Sequence, residues 1–193
     1  MEILSKSSPL NLSRRTLFRR AGQATLSATA IALLAGAPSL VVGTAAAQGM
    51  DGDVKILNTA LGLEYEAIAA YQVGAESGLL QKPVLDLAVQ FQGHHKEHAD
   101  VLAATIKKLG GMAVGPKAKY AFPVETLKNQ ADVLRFAAGL EKGAASAYLG
   151  AVPLFGNRDL AKAAASIMGD ETMHWAVLRQ ALGENPVPSA FIS

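Results

Sequence analysis

Residues 110–123 read GGMAVGPKAKYAFP. With three glycines and two prolines, this stretch continues neither the helix before it nor the helix after it. Fully extended, it reaches about 45 Å at ~3.3 Å per residue, as long as a helix of about 28 residues at ~1.5 Å each. A connection of that reach carries a chain from one end of a helical bundle to the other, so the helices it joins need not form a hairpin.

On both sides of it the chain is rich in Ala, Leu, Lys and Glu, with apolar residues at spacings of three and four and few alternating β-branched runs. That periodicity reads as all-α. Helix one is expected over roughly 52 to 78, closing at Gly78, and helix two from about Pro83 to Lys108. Helix three is expected from near Val124 to around Pro153, and helix four from Asn157, a capping residue, to about Gly183. Two short connections and one long one give two antiparallel helix hairpins joined by a crossover, the ferritin-like form of a four-helix bundle.

Each helix then has one stripe to bury. Helix one presents Leu57, Leu61, Glu64, Ile68, Tyr71 and Ala75; helix two presents Val84, Ala88, Phe91, His95, His98 and Leu102. Helix three presents Leu127, Ala131, Leu134, Ala138, Glu141, Ala145, Tyr148 and Val152, and helix four Leu160, Ala164, Ile167, Glu171, His174 and Leu178. Every stripe is apolar except at its middle, so six ionisable side chains, Glu64, His95, His98, Glu141, Glu171 and His174, point into one core. A buried charge without a partner costs several kcal/mol; six at matching depth make sense around a cation. Cysteine is absent, so any metal is held by His and carboxylates, donors that suit iron, manganese and zinc.

The pattern is also repeated. LEYEAIAAY (63–71) and LEKGAASAY (140–148) share L-E-x6-Y, while HKEHADVL (95–102) and ETMHWAVL (171–178) share a ligand-type residue, two residues, His, and Leu four further on. Glu64 and His98 are 34 residues apart, Glu141 and His174 33. The two hairpins read as copies of one unit.

On these residues, over about 52 to 182, the chain resembles the ferritin-like superfamily that includes rubrerythrins and bacterioferritins, and more closely the exported, desiccation-associated bacterial ferritin-like proteins. The resemblance implies that Glu64 and Glu141 are terminal metal ligands, that Glu171 bridges, and that His98 and His174 are terminal. At position 95 the family pattern has a bridging Glu and this chain has His. A neutral imidazole has one lone pair and does not bridge as a carboxylate does. A single metal, or two unequally held metals bridged by Glu171 and solvent, therefore stands beside the dinuclear iron site that the resemblance implies.

Around these six, His94 lies at the edge of the stripe, as a residue behind the ligands or at the surface. Tyr71 and Tyr148 sit two turns beyond the glutamates as hydrogen-bonding candidates, and Asp170 is placed to orient a ligand histidine through its free N–H. Glu66 and Glu97 fall off the face and are expected in solvent.

The first residues have a different character. SRRTLFRR (13–20) precedes a charge-free run rich in Ala, Gly, Ser and Thr, and Ala45-Ala46-Ala47 offers a cleavage site before Gln48. This reads as a twin-arginine signal over 1–47 and a bundle domain over 48–193, exported to the periplasm through the twin-arginine machinery. Without 1–47 the basic side chains fall from 18 to 13 and the acidic ones from 16 to 15, a net charge of −2. No basic stripe remains, so nucleic acid is not a partner; a homo-dimer is compatible.

The first functional reading is an exported metalloprotein that binds iron, or manganese, and reacts with dioxygen or peroxide. Its alternative is a non-catalytic, stress-protective bundle stapled by structural zinc or iron. A third is a bundle whose histidines are neutral and hold no metal.

Overall fold

The structure, a computed structural model, describes residues 44–192; most of the signal expected over 1–47 lies outside them. Four α-helices carry the fold: α1 (Thr44–Glu76), α2 (Lys82–Lys108), α3 (Gln130–Ala151) and α4 (Arg158–Ala181), with single 3-10 turns at Val124–Thr126 and Val152–Leu154. Among the described residues there is no strand, and no helix is long and apolar enough to cross a membrane.

Two boundaries depart from expectation. Helix one already includes Thr44, the first described residue, rather than starting near 52. Helix three begins six residues late. Val124–Thr126 close a 3-10 turn, and Asn129 accepts a hydrogen bond from the Asp132 N–H as the cap of α3. Leu127 therefore belongs to the crossover, not the helix-three stripe. At the other end α3 stops at Ala151, where Pro153 tightens the chain into the second 3-10 turn. Helices one and four end within two residues of Gly78 and Gly183, whose φ of 70° and 74° turns the chain out of the helix.

α1 packs along α2 and α3 along α4, and the two hairpins meet through α1 against α3 and α2 against α4. The crossover leaves α2 pressed against the start of α1. A side chain at Gly111 would meet Val54 Cγ1 at 2.7 Å, and Asn58 donates to the Met112 carbonyl (3.0 Å) and accepts from the Val114 N–H (2.8 Å). It ends at α3, where Tyr120 stacks on Phe122 and Phe122 meets Phe136 edge-on. There the Gln81 N–H of the α1–α2 turn reaches Gln130 Oε1 at 2.8 Å. At the opposite end the buried Asp53 of α1 accepts from the Gly156 and Asn157 N–H groups of the α3–α4 turn (2.7 and 3.0 Å). The long connection thus spans the bundle.

Two apolar clusters fill the interior. Leu57, Leu61, Leu102, Ile106, Leu160 and Ile167 pack towards one end, and Phe91, Leu134, Ala138 and Leu178 towards the other. Each large aliphatic among them contributes about 1.5–3 kcal/mol by leaving water. Between the clusters lies a belt of ionisable side chains.

Candidate metal centre

The belt consists of the six side chains expected from the stripes. Glu64, His95, Glu141, Glu171 and His174 are each at most 2% exposed, and His98 is largely buried. Their donor atoms fall into two groups whose members lie within 4.8 Å of one another: Glu64, His95, His98 and Glu171, and His95, Glu141, Glu171 and His174. His95 and Glu171 belong to both. The two-unit repeat of the sequence is thus realised as two half-sites about a shared pair.

His95 lies across the middle with one ring nitrogen towards each half. Nδ1 is 2.8 Å from Glu64 Oε2, and Nε2 is 3.2 Å from Glu141 Oε1. Glu171 sends Oε1 towards His98 Nδ1 (3.2 Å) and Oε2 towards His174 Nδ1 (3.8 Å). His174 Nδ1 also lies 3.4 Å from Glu141 Oε2. The tyrosines interlock the halves: the Tyr71 hydroxyl of α1 donates to Glu141 of α3, and the Tyr148 hydroxyl of α3 donates to Glu64 Oε1 of α1 at 2.6 Å. Each copy of L-E-x6-Y thus supplies the hydroxyl that holds the other copy's carboxylate.

Protonation follows from this packing. Burial opposes charge on each imidazole, but the facing carboxylates outweigh it: Glu141 and Glu64 raise His95 to about 10, Glu171 and Glu64 raise His98 to about 9, and Glu141 and Glu171 raise His174 to about 9. Burial also works against ionising Glu64 and Glu141, yet the neighbouring imidazoles hold both below the usual carboxylate range. Burial pushes Glu171 up. Buried beside ionised carboxylates, Tyr71 and Tyr148 keep their protons. Without metal, then, protonated imidazoles face the ionised Glu64 and Glu141, while Glu171 ionises less readily.

Three atoms are left over. His98 Nδ1 and both oxygens of Glu171 are buried with no hydrogen-bond partner; the 3.2 Å approach of His98 to Glu171 is close but not aligned for one. Orphaned buried polar atoms are rare in native proteins and each costs about 1–3 kcal/mol. Glu171 spans both half-sites and His98 Nδ1 faces one of its oxygens, so the partnerless atoms fit metal bound within the belt. The residues fit a two-carboxylate bridge less well. Glu171 reaches both half-sites with an oxygen each, whereas a neutral His95 has one lone pair to give.

The flanking residues also find places. Asp170 Oδ2 lies 3.2 Å from His174 Nε2 and 3.5 Å from His98 Nε2, at the outer edges of rings whose Nδ1 atoms face inward. His94, half-exposed, touches Asp170 and His174 rather than the centre. Glu97 is exposed, while Glu66 is half-buried rather than free in solvent. Two contacts were not foreseen from sequence. Phe91 stacks on His174 with ring centres 4.0 Å apart, and the buried Gln92 donates to the Ile68 carbonyl and Gln72 Oε1. The four-residue step from Phe91 to His95 signals the first; nothing local signals the second.

A four-helix bundle with one long crossover and a carboxylate–histidine belt at mid-height is a ferritin-like protein. The profile of the family described as Ferritin-like domain matches residues 52–184, and the chain belongs to that family. Its fold is similar to a conserved hypothetical protein, rv2844, from Mycobacterium tuberculosis, with TM-score 0.64 and 23% identity over 74% of this chain and 99% of that one. It is also similar to one of the ferritin like, diiron-carboxylate proteins from Bacillus anthracis str. Ames, with TM-score 0.58 and 23% identity over 69% and 97% of the two chains. No curated protein sequence matches significantly.

Proposed function

We propose that this protein binds iron, or manganese, in its mid-bundle centre and reacts there with dioxygen or peroxide, after export through the twin-arginine route. The observation that carries the reading is the presence of three partnerless buried atoms, His98 Nδ1 and the two Glu171 oxygens, among six potential ligands. Glu64, His98, Glu141, Glu171 and His174 would hold the metal, with His95 completing one half-site at a time. The half-site that His95 serves has four protein ligands; the other keeps Glu141, Glu171 and His174, or Glu64, His98 and Glu171, and retains open positions. Ferrous iron supplies single electrons, two of which with two protons reduce one peroxide to two waters. The protein's part is to fix the ligands through the Tyr71 and Tyr148 hydroxyls, to exclude bulk water with the flanking apolar clusters, and to donate protons from the imidazoliums that the metal does not use.

A direct test is anaerobic loading with ferrous iron followed by peroxide or oxygenated buffer. The reading predicts oxidation of bound iron faster than that of the same ferrous iron free in buffer, with peroxide consumed in proportion to iron bound. Oxidation at the free-ion rate would reject the redox part of the proposal.

One observation favours a second, non-redox reading. In the half-site of Glu64, His95, His98 and Glu171, four donor separations are 2.8, 3.7, 3.5 and 3.2 Å. They bracket the edge of about 3.3–3.4 Å expected for a tetrahedron with Zn-like bonds of ~2.0–2.1 Å. A structural zinc in that half-site would staple the bundle and leave ferrous oxidation at the background rate.

A further inference from the structure

Outside the six central ligands, the pseudo-two-fold repeat sets His94 opposite Asp170, the residues immediately before His95 and Glu171. The two meet at 3.1 Å between His94 Nδ1 and Asp170 Oδ2. His174 completes a triangle with the ring nitrogen that points away from the centre: Nε2 lies 2.9 Å from His94 Nδ1 and 3.2 Å from Asp170 Oδ2. Three sides of 2.9, 3.1 and 3.2 Å match the face of an octahedron with bonds of ~2.1 Å, whose edge is about 3.0 Å. Two histidines and one carboxylate on one such face are a donor set for divalent iron and related ions, with the remaining positions open to water.

We propose that His94, Asp170 and His174 form a separate outer metal site, through which a divalent transition-metal ion passes on its way to the buried centre. The inference rests on the proposal that the centre binds metal. Its position fits the role. The His94 and Asp170 side chains are 35% and 21% exposed, whereas His174 is 2% exposed and turns its Nδ1 to Glu141 and Glu171. One imidazole thus spans the step from solvent to centre. A neutral ring has one lone pair, so His174 binds either outward through Nε2 or inward through Nδ1. Occupation of the outer site is therefore transient: once metal is bound to His174 Nδ1 in the half-site of Glu141 and Glu171, the Nε2 hydrogen is donated to Asp170 and the triad loses a ligand. Asp170 serves both states, as a ligand in the first and as the acceptor that holds His174 in the second.

The test is stopped-flow loading of the metal-free protein with Co(II), followed by its visible absorption, for the wild type, His94→Ala and His94→Gln. His94 is not among the central ligands, and Gln keeps a polar side chain there, which separates loss of the ligand from loss of packing. Both variants are expected to load about tenfold more slowly at limiting Co(II), the scale on which residues supporting a metal site act, and to reach the wild-type stoichiometry and final spectrum. Unchanged or faster loading overturns the outer site, and so does a lower final stoichiometry, which would make His94 part of the centre itself. A wild type that binds no Co(II) would instead reject the metal-binding proposal on which this one depends.

Discussion

Metal affinity at the centre should fall steeply with acid, and the slope counts the protons the metal displaces. In the half-site of Glu64, His95, His98 and Glu171, both imidazoles carry protons in the metal-free protein, held at about 10 and about 9 by the surrounding carboxylates. A ligand nitrogen must be deprotonated. The first ion therefore releases two protons below pH 9 or so, and its affinity changes about tenfold per pH unit for each. Between about pH 6 and pH 8 the apparent affinity should rise by about four orders of magnitude. Competition titration of Zn(II) against a chromophoric chelator at stepped pH gives the slope, and calorimetry in buffers of different ionisation enthalpy counts the protons directly. A slope near zero, or fewer than one proton released per ion, would refute the picture of imidazolium rings neutralising the empty centre.

The metal-free protein should itself lose stability in alkali. Imidazoles raised from the ordinary value of about 6.5 contribute stability that is complete below that pH and lost as pH climbs through about 9 and 10; Tm of the metal-free form should drop across that window, and a flat profile contradicts it. On the acid side, Glu64 and Glu141 are held below the usual range, so their contribution should disappear as pH falls below about 4.5. Tyr148→Phe leaves Glu64 Oε1 without its 2.6 Å donor and should cost about 1–3 kcal/mol in chemical denaturation; a loss under a few tenths would show that the hydroxyl does not hold the carboxylate. His95→Glu restores a carboxylate that can reach both half-sites and should shift metal content towards two ions per chain, with a shorter metal–metal distance by X-ray absorption; unchanged content would mean that His95 does not limit nuclearity.

The centre was legible because a polar side chain in the middle of an apolar helical stripe conflicts with its surroundings unless something binds it, and six such conflicts fall at one depth. The crossover was legible because Gly110, Gly111, Gly115, Pro116 and Pro123 forbid helix over a length that matches the bundle. The start of α3 was not: Val124 and Leu127 stay in step with the stripe, and only the three-dimensional placement of Asn129 over the Asp132 N–H decides that the helix begins after them. The pairing of Tyr71 with Glu141 and Tyr148 with Glu64 depends on the two-fold relation between hairpins, which no single helix displays. His94 sits at the edge of its own helical face and joins Asp170 only because α2 and α4 bring them to 3.1 Å. Asp53, buried at the far end of α1, closes a turn more than a hundred residues away, a contact without local sequence signal.

The mid-bundle belt is proposed to hold metal. Elemental analysis of the exported protein, purified without chelator or affinity metal from a host with the twin-arginine route, tests it most directly, beside Glu171→Gln. Glu171 owns two of the three partnerless buried atoms. One to two transition-metal ions per chain are expected, iron or manganese foremost, with loss of at least one ion in Glu171→Gln and helical content unchanged by circular dichroism. No stoichiometric metal in the wild type, even after incubation with Fe(II), Mn(II) and Zn(II), would contradict it.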